Sequence, residues 1–134
     1  MNIVKKKILG VIFSRAPYGA SFGEEGLELI ISSSIFFKKI YIFFISDGIF
    51  QIFYNQKPKL IFLNKYTNLF KMFNFLNIKK CFSNIENLYN RGILKKNVCN
   101  KIVFKKYKFI LPIILLKNKN LKKKMSKCQY LLNF

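Results

Sequence analysis

Two hydrophobic patterns alternate along the first half of the chain. Short runs that are apolar on both faces, as in the buried strands of parallel sheets, occupy Lys7–Ser14, Lys39–Ser46 and Lys79–Ser83. Between them, Ser21–Phe36 and Asn64–Asn77 carry apolar residues at helical spacing. Strands that alternate with helices favour an α/β fold with a parallel sheet and right-handed crossovers.

The second half continues this alternation. Its predicted elements are a short helix, a fourth strand, a basic helix and a fifth strand, at Asn84–Asn90, Phe109–Leu116, Leu116–Lys127 and Gln129–Phe134. Gly92 ends the short helix, and Pro112 predicts an edge position or a bulge for the fourth strand. We predict one domain over residues 1–134 with a lysine-rich insertion at 95–108, which contains an extra strand at Lys101–Phe104 or is a surface segment.

The first predicted helix begins with a helix-start signal. Ser21 is a good N-cap residue, and Glu24 follows at the spacing of a capping box. Three of the five acidic residues of the chain, Glu24, Glu25 and Glu28, lie in this segment. Acidic side chains in a first turn stabilise the positive end of the helix dipole.

The second predicted strand runs directly into Asp47-Gly48. Asp can bond to nearby backbone and Gly accepts positive φ, so this pair predicts a turn. In an open α/β sheet, ligands and partners are met outside the carboxyl ends of the strands. We therefore expect the Pro17–Gly19 loop and the helix start at Asn84 to lie beside this turn. The role of turn-former is favoured over that of acid catalyst for Asp47, because the chain has no His to complete an acid–base pair.

Composition gives the chain a formal net charge of +20. Such a charge suggests nucleic acid or another anionic partner. However, Lys, Asn, Ile and Phe dominate the sequence together and share A/T-rich codons, whereas Arg occurs only at Arg15 and Arg91. Mutational bias therefore explains most of the charge, although Coulomb attraction still predicts residual affinity for RNA.

The inventory of residues excludes several kinds of site. With no His and no Cys-x-x-Cys spacing, no metal or haem site is predicted. The sequence contains neither the G-x-G-x-x-G spacing of dinucleotide-binding proteins nor the G-x-x-x-x-G-K-[S/T] spacing of P-loop proteins. No cofactor is therefore predicted. The three cysteines are widely separated and read as free thiols of a reduced protein. No uncharged apolar run reaches the ~18 residues that a membrane span needs, so we expect a soluble, cytoplasmic protein.

Cys81 is the thiol with the most suggestive position. It lies just before a predicted helix, where the dipole and amides would stabilise a thiolate able to carry a persulfide. It also lies three residues before Asn84, too early to be the cap residue, and strand alternation points it into the core. A free Cys in a core is usually an inert small hydrophobe. Cys99 and Cys128 have no recognisable helper.

The motifs together resemble the TusC-type (DsrF-like) subunits of the DsrEFH/TusBCD sulfur-relay family. In chain order they are Phe13-Ser14-x-Ala16-Pro17-x-Gly19, Gly23-x-Glu25-Gly26-Leu27, Phe43-Phe44-Ile45-x-Asp47-Gly48-x-Phe50-Gln51, Gln56-Lys57-Pro58, Phe70-Lys71, Cys81 and Arg91-Gly92. The Asp-Gly block with Gln-Lys-Pro is the most specific part. The resemblance runs from Lys7 to about Ile93 and resumes from Phe109 to Phe134, and the 95–108 segment is longer than the usual connection in the family.

This resemblance implies a three-layer α/β/α fold with a mainly parallel sheet of about five strands. It implies assembly with TusB-like and TusD-like subunits as a dimer of heterotrimers. Such an assembly accepts persulfide sulfur from a TusA-like donor and passes it through a TusE-like acceptor towards 2-thiolation of the tRNA wobble uridine. Direct tRNA binding by this subunit and contact with a membrane are not required.

The resemblance also implies that this subunit is not an enzyme. In the sister subunits, the persulfide-bearing Cys opens the helix after strand three, eight residues before the Gly that ends it. Counting back from Gly92 gives Asn84, and an amide cannot form a persulfide. The candidates for the cleft and interface are Pro17, Gly19, Asp47, Gly48, Phe50, Gln51, Gln56, Lys57 and Pro58.

Two alternatives to this reading stay open. One is a small basic RNA-binding protein, and the other is a sulfurtransferase that uses Cys81. The aromatic segment from Ile49 to Phe62 is either a further interface or a second layer of the same core.

Overall fold

The computed structural model describes residues 7–17, 21–53, 67–96, 102–104 and 109–134. Its strands, in chain order, are β1 (Ile8–Phe13), β2 (Lys39–Phe44), β3 (Lys80–Asn84), β4 (Leu94–Lys96), β5 (Ile102–Phe104), β6 (Ile114–Leu116) and β7 (Tyr130–Asn133). Its α-helices are α1 (Phe22–Ser33), α2 (Ile85–Asn90) and α3 (Asn118–Ser126). Two 3-10 helices occupy Ser46–Ile52 and Thr67–Asn74. Within these ranges, no helix has both the length and the apolar character needed to cross a bilayer.

A parallel sheet in the order β6-β3-β2-β1-β7 forms the centre of the described structure. Every neighbouring pair in it is parallel, and the register sets Ile8 opposite Lys39 and Tyr41 opposite Lys80. The predicted α/β class and five-stranded parallel sheet are confirmed. Pro112 marks an edge strand as expected, although β6 begins only at Ile114, after the proline that cannot donate to a ladder.

The lysine-rich segment contributes a separate small sheet. β4 and β5 pair antiparallel, with Leu94 opposite Phe104, and they do not join the central sheet. The alternative of an extra strand near 101–104 is therefore the correct one. The rest of the segment from 97 to 108 lies outside the described residues.

Side chains of the central strands alternate between two apolar clusters, one on each face of the sheet. On the first face, Leu9, Val11 and Phe13 of β1 pack with residues of α1, α2 and both 3-10 helices. On the second face, Ile12 packs with Phe43, Phe82 and Leu121, the last of which comes from α3. Burial on both faces explains why the strands are continuous apolar runs instead of alternating ones. The sheet with helices packed on each of its faces forms the three-layer arrangement.

The predicted helix at 64–77 is a 3-10 helix over its described part, not an α-helix. A 3-10 helix has three residues per turn, so residues at i and i+3 lie on one line along it. Phe70 and Phe73 have this spacing, both are 0 % exposed, and their ring centroids are 5.5 Å apart. The tighter winding keeps both rings on the core side of the segment.

The start of α1 also differs from the predicted capping box. Ser21 is the N-cap residue, but its backbone is already helical and its side chain makes no cap hydrogen bond. Its hydroxyl donates instead to Glu25 Oε1 at 2.8 Å, one residue beyond the Glu24 of the predicted box. The acidic first turn still complements the helix dipole.

Removal of the Phe70 ring tests the packing of the first apolar face. Phe70 contacts Phe13 and Phe44 with centroid distances of 5.4 Å and 5.9 Å. We expect Phe70→Ala to lower the free energy of unfolding by about 3–5 kcal/mol, as for other buried Phe truncations. The matched control is Phe75→Ala, because Phe75 is 87 % exposed and should cost no more than about 0.5 kcal/mol. Urea unfolding measures both, and equal costs would contradict the assignment of Phe70 to the core.

Candidate functional site

The carboxyl ends of β1, β2 and β3 meet at one edge of the sheet, here called the carboxyl edge. Gly48 packs there directly on the backbone at the end of β1. A Cβ on Gly48 would lie 1.7 Å from the carbonyl oxygen of Phe13 and 2.4 Å from its carbonyl carbon. The turn predicted at Asp47-Gly48 is present as the first turn of the 3-10 helix Ser46–Ile52.

The reason for the glycine differs from the predicted one. The residue with positive φ is Ser46, at 50°, whereas Gly48 has no unusual φ. Gly48 is needed because any side chain would collide with the β1 backbone, which cannot move without separating the strands. A close approach of two backbones is the second ordinary use of glycine.

The Asp47 carboxylate is held by α2, the helix that follows β3. Arg91 Nε donates to Asp47 Oδ1 at 3.1 Å, and the Arg91 guanidinium also donates to Asn87 Oδ1. Asn87 Nδ2 in turn donates to the carbonyl oxygen of Ser46 at 3.1 Å. The last turn of α2 thus fixes the start of the 3-10 helix, a link that sequence reasoning missed. The available signal was that Arg91, one of two arginines, ends the helix that follows β3, the strand that pairs with β2.

Asn84 lies at the end of β3 and caps α2, as its predicted position requires. Its Oδ1 accepts from the backbone N–H of Glu86 at 2.8 Å. Its Nδ2 donates to Asn118 Oδ1 at the start of α3, and Asn118 Nδ2 donates to Glu86 Oε2 at 3.4 Å. Asn84 therefore ties α2 and α3 together across the carboxyl edge.

The loop after β1 is fixed from the opposite side. Gln51 is 1 % exposed, and its Nε2 donates to the carbonyl oxygen of Arg15 at 3.0 Å. The Arg15 guanidinium lies 3.8 Å from the ring centroid of Phe22 at the start of α1, within the range of a cation–π contact. Pro17 ends this described stretch and is half-buried.

The structure brings together most of the predicted cleft residues that it describes. Asp47 and Gly48 lie at the carboxyl edge, where Asp47 pairs with Arg91 at the end of the helix that Asn84 caps, and Phe50 and Gln51 lie further along the same 3-10 helix. Gly19, Gln56, Lys57 and Pro58 lie outside the described residues. Of the aromatic segment from Ile49 to Phe62, the described part 49–53 packs in or against the first apolar cluster, as the second-layer alternative stated.

Cys81 does not reach this edge. It is 2 % exposed and belongs to the first apolar cluster, and burial raises the pKa of its thiol from 9.0 to about 12. Burial likewise raises the pKa of the half-buried Cys128 to about 11. Cys99 lies outside the described residues. A thiol with so high a pKa stays protonated at neutral pH and is a poor nucleophile.

Metal chemistry finds no support in the described ranges. No group of three or more His, Cys, Asp or Glu residues there could hold an ion. The described part of the carboxyl edge carries the carboxamides of Asn84 and Asn118, the Asp47–Arg91 ion pair and the carboxylate of Glu86. These groups can bind and position a partner.

Comparison with known sequences gives a consistent picture over nearly the whole chain. The profile of the DsrE/DsrF-like family matches residues 7–134. Protein TusC of Buchnera aphidicola subsp. Acyrthosiphon pisum (strain 5A) is 38% identical over 128 residues, which cover 96% of this chain and 99% of that protein. The TusC homolog of Aliivibrio fischeri is 32% identical over 126 residues, covering 94% and 98% of the two chains.

A solved structure shares the fold. The crystal structure of the ychN protein from E. coli superposes with a TM-score of 0.67 over 96% of this chain and 99% of its own. The sequence identity is 18%, so the likeness concerns the arrangement of helices and strands.

Adding a methyl group at Gly48 tests the backbone contact at the carboxyl edge. We expect Gly48→Ala to lower the free energy of unfolding by more than about 2 kcal/mol, because the new Cβ meets rigid backbone. The matched control is Gly10→Ala, whose Cβ would meet Leu131 Cδ1 at 2.6 Å and Cys128 Sγ at 2.7 Å. Those side-chain atoms can rotate away, so the control should cost less. A Gly10→Ala variant that is the less stable of the two in urea would contradict this account.

Alkylation of the thiols tests the burial of Cys81. A pKa that rises from 9.0 to about 12 lowers the thiolate fraction at pH 8 about a thousandfold. We expect iodoacetamide to modify Cys81 at least about a thousand times more slowly in the folded protein than in urea. Peptide mass spectrometry separates Cys81 from the half-buried Cys128, which should be protected less. Equal rates for Cys81 in the folded and unfolded protein would show that it is accessible.

Proposed function

The chain belongs to the DsrE/DsrF-like family, and we propose that it is the TusC-type subunit of a cytoplasmic sulfur-relay complex. In this role it serves a relay that passes persulfide sulfur towards 2-thiouridine at the wobble position of tRNA. The observation that carries the proposal is the similarity to TusC proteins over nearly the full length of both chains. The turn at Asp47-Gly48, which is among the features behind the resemblance to the family, and the helix start at Asn84 are present in the structure and support the proposal further.

We propose that the subunit shapes the relay without carrying sulfur itself. The side chain at the helix start after β3 is Asn84, a carboxamide that caps α2 and bonds to Asn118. A carboxamide has no sulfur to form a persulfide. Cys81 is buried and protonated, which supports a structural role for it and argues against the alternative of a sulfurtransferase.

The proposed partners are TusB-like and TusD-like subunits in a dimer of heterotrimers, with a TusA-like donor and a TusE-like acceptor. The edge strand β7 supports the need for partners. Its residues Tyr130, Leu131 and Leu132 are 47%, 44% and 41% exposed. Adjacent exposed apolar side chains of this kind are typical of surfaces that subunit contacts bury.

We propose the carboxyl edge as a second docking element of the assembly. Asp47, whose side chain is 59% exposed, and the half-buried Pro17 and Phe50 would face the partner. Gly48 and Gln51 are buried and would set the shape of the loop. We also assign Gly19, Gln56, Lys57 and Pro58 to this proposed element, on the basis of the sequence motifs in which they occur.

Deletion of this chain tests the relay proposal. We expect the deletion to abolish tRNA 2-thiouridine, measured by mass spectrometry of nucleosides, and the full-length chain to restore it. We also expect the chain to co-purify with its TusB-like and TusD-like partners at a mass set by two copies of each. Unchanged thiouridine in the deletion strain would reject the proposal.

Substitution of Cys81 tests the non-catalytic role separately. We expect Cys81→Ala to restore thiouridine to within about twofold of the level given by the original chain, because Ala fills a core position with modest loss of stability. Cys128→Ala is the matched control for removal of a thiol. If Cys81→Ala folds and assembles but leaves tRNA unthiolated, the thiol takes part in sulfur transfer and the non-catalytic role is wrong.

A further inference from the structure

The five acidic residues of the chain are concentrated towards the carboxyl edge. Glu24 and Glu25 lie in the first turn of α1, Asp47 follows β2, and Glu86 lies in the first turn of α2. Glu28 lies about one turn further along α1. Since the whole sequence holds five Asp and Glu residues, none remains for the opposite edge of the sheet, where the strands begin.

That opposite edge, here called the amino edge, carries lysines in adjacent pairs. Lys38 and Lys39 stand at the start of β2, and Lys79 and Lys80 stand at the start of the neighbouring β3. All four are exposed. With no acidic side chain at this edge to neutralise them, their charges add.

The four lysines surround a groove of about 390 Å³. It lies between the C-terminal end of α1, the turn after the second 3-10 helix and the starts of β2 and β3. Besides the lysines, its lining consists of Ser34, Phe37, Ile40, Leu76, Asn77 and Ile78. The lysine groove thus combines an apolar floor with a cationic rim.

Exposed aromatic rings stand next to this groove. Phe36 precedes the lining residue Phe37 and is 44% exposed, and Phe75 precedes Leu76 and is 87% exposed. Phe37 packs edge-on against Tyr130 at 6.0 Å, and Lys7 Nζ lies 5.3 Å from the centre of the Tyr130 ring. Cationic and aromatic groups therefore continue from the groove towards β1 and β7.

We propose that the lysine groove binds single-stranded RNA. Phosphates would contact the four lysines, and an unstacked base would lie against the apolar floor. Proteins that hold single strands combine a positively charged groove with aromatic side chains on which bases stack, and Phe37 is the aromatic residue in the lining of this groove. An acidic polypeptide such as polyglutamate would satisfy the charge, but its side chains offer no ring to lie against the floor. The site lies at the edge opposite Asp47 and Asn84, and it does not depend on the relay proposal.

Bias towards lysine codons accounts for the number of lysines but not for their separation from the acids. Such bias places lysines on every exposed surface, as on α3. The structure therefore offers its own control, because the α3 lysines carry the same charge and do not line this groove.

Fluorescence anisotropy with a labelled short oligouridylate and the full chain tests the proposal. The groove variant carries Lys38→Gln, Lys39→Gln, Lys79→Gln and Lys80→Gln. The control variant carries Lys119→Gln, Lys122→Gln, Lys123→Gln and Lys127→Gln, so that both lose the same charge. We expect the groove variant to lose at least about tenfold in affinity and the control less than about threefold. The slope of log K against log salt should fall by roughly 0.7 for each lost phosphate contact.

Other anions then identify the ligand. We expect oligouridylate to bind at least about fivefold more tightly than polyphosphate or polyglutamate at equal charge. Equal loss of affinity in the groove and control variants would show that binding comes from net charge alone. Equal affinity for the three probes would show that the base is not recognised. Either result overturns the proposal. Circular dichroism checks that each variant is folded. If the fourfold variant unfolds, the double variants K38Q/K39Q and K79Q/K80Q are measured instead.

Discussion

The contact between Gly48 and the backbone at the end of β1 is the constraint on which the carboxyl edge depends. It lets the start of the 3-10 helix Ser46–Ile52 pack directly on the backbone at the end of β1, with no room for a side chain between them. From that position Ile49 and Ile52 reach the first apolar cluster, and Gln51 reaches the carbonyl of Arg15. Any side chain at position 48 would push the 3-10 helix away from β1 and disrupt all of these contacts.

Hydrogen bonds then convert this contact into a framework of three helices. The last turn of α2 bonds to the start of the 3-10 helix through Arg91 and Asn87, and Asn84 joins the starts of α2 and α3. The Asp47–Arg91 pair is partly exposed, and such pairs contribute only about 0.2–1 kcal/mol each. The ion pair therefore adds little to stability. The main effect of the network is to fix the positions of the helices at the carboxyl edge, which the proposed partner would contact.

Much of this fold was predictable from the sequence because both faces of the sheet are buried. Burial on two sides demands continuous apolar runs, and Ile8–Phe13 and Lys39–Phe44 are close to the predicted bounds. Local patterns could not show that Phe70 and Phe73 would wind as a 3-10 helix, because the same residues also suit an α-helix. Nor could they show that Gly48 is needed for a close approach or that Asp47 pairs with Arg91, because both depend on elements far apart in the chain. The helix start at Asn84 was predicted from the short segment Asn84–Asn90 that Gly92 ends, and the burial of Cys81 was predicted from strand alternation.

The pairing of β1 with β7 has a consequence for how the molecule folds. Leu9 lies opposite Tyr130, and the N–H of Ile8 donates to Gln129 Oε1, 121 positions along the chain. Contacts between such distant residues form late and slow folding, because a long loop must close before they contribute. Until β7 arrives, β1 is an open, apolar sheet edge of the kind that pairs with other chains. The species most prone to aggregation should therefore be a partly folded one in which β1 is paired with β2, and β2 with β3, while the other edge of β1 is still open.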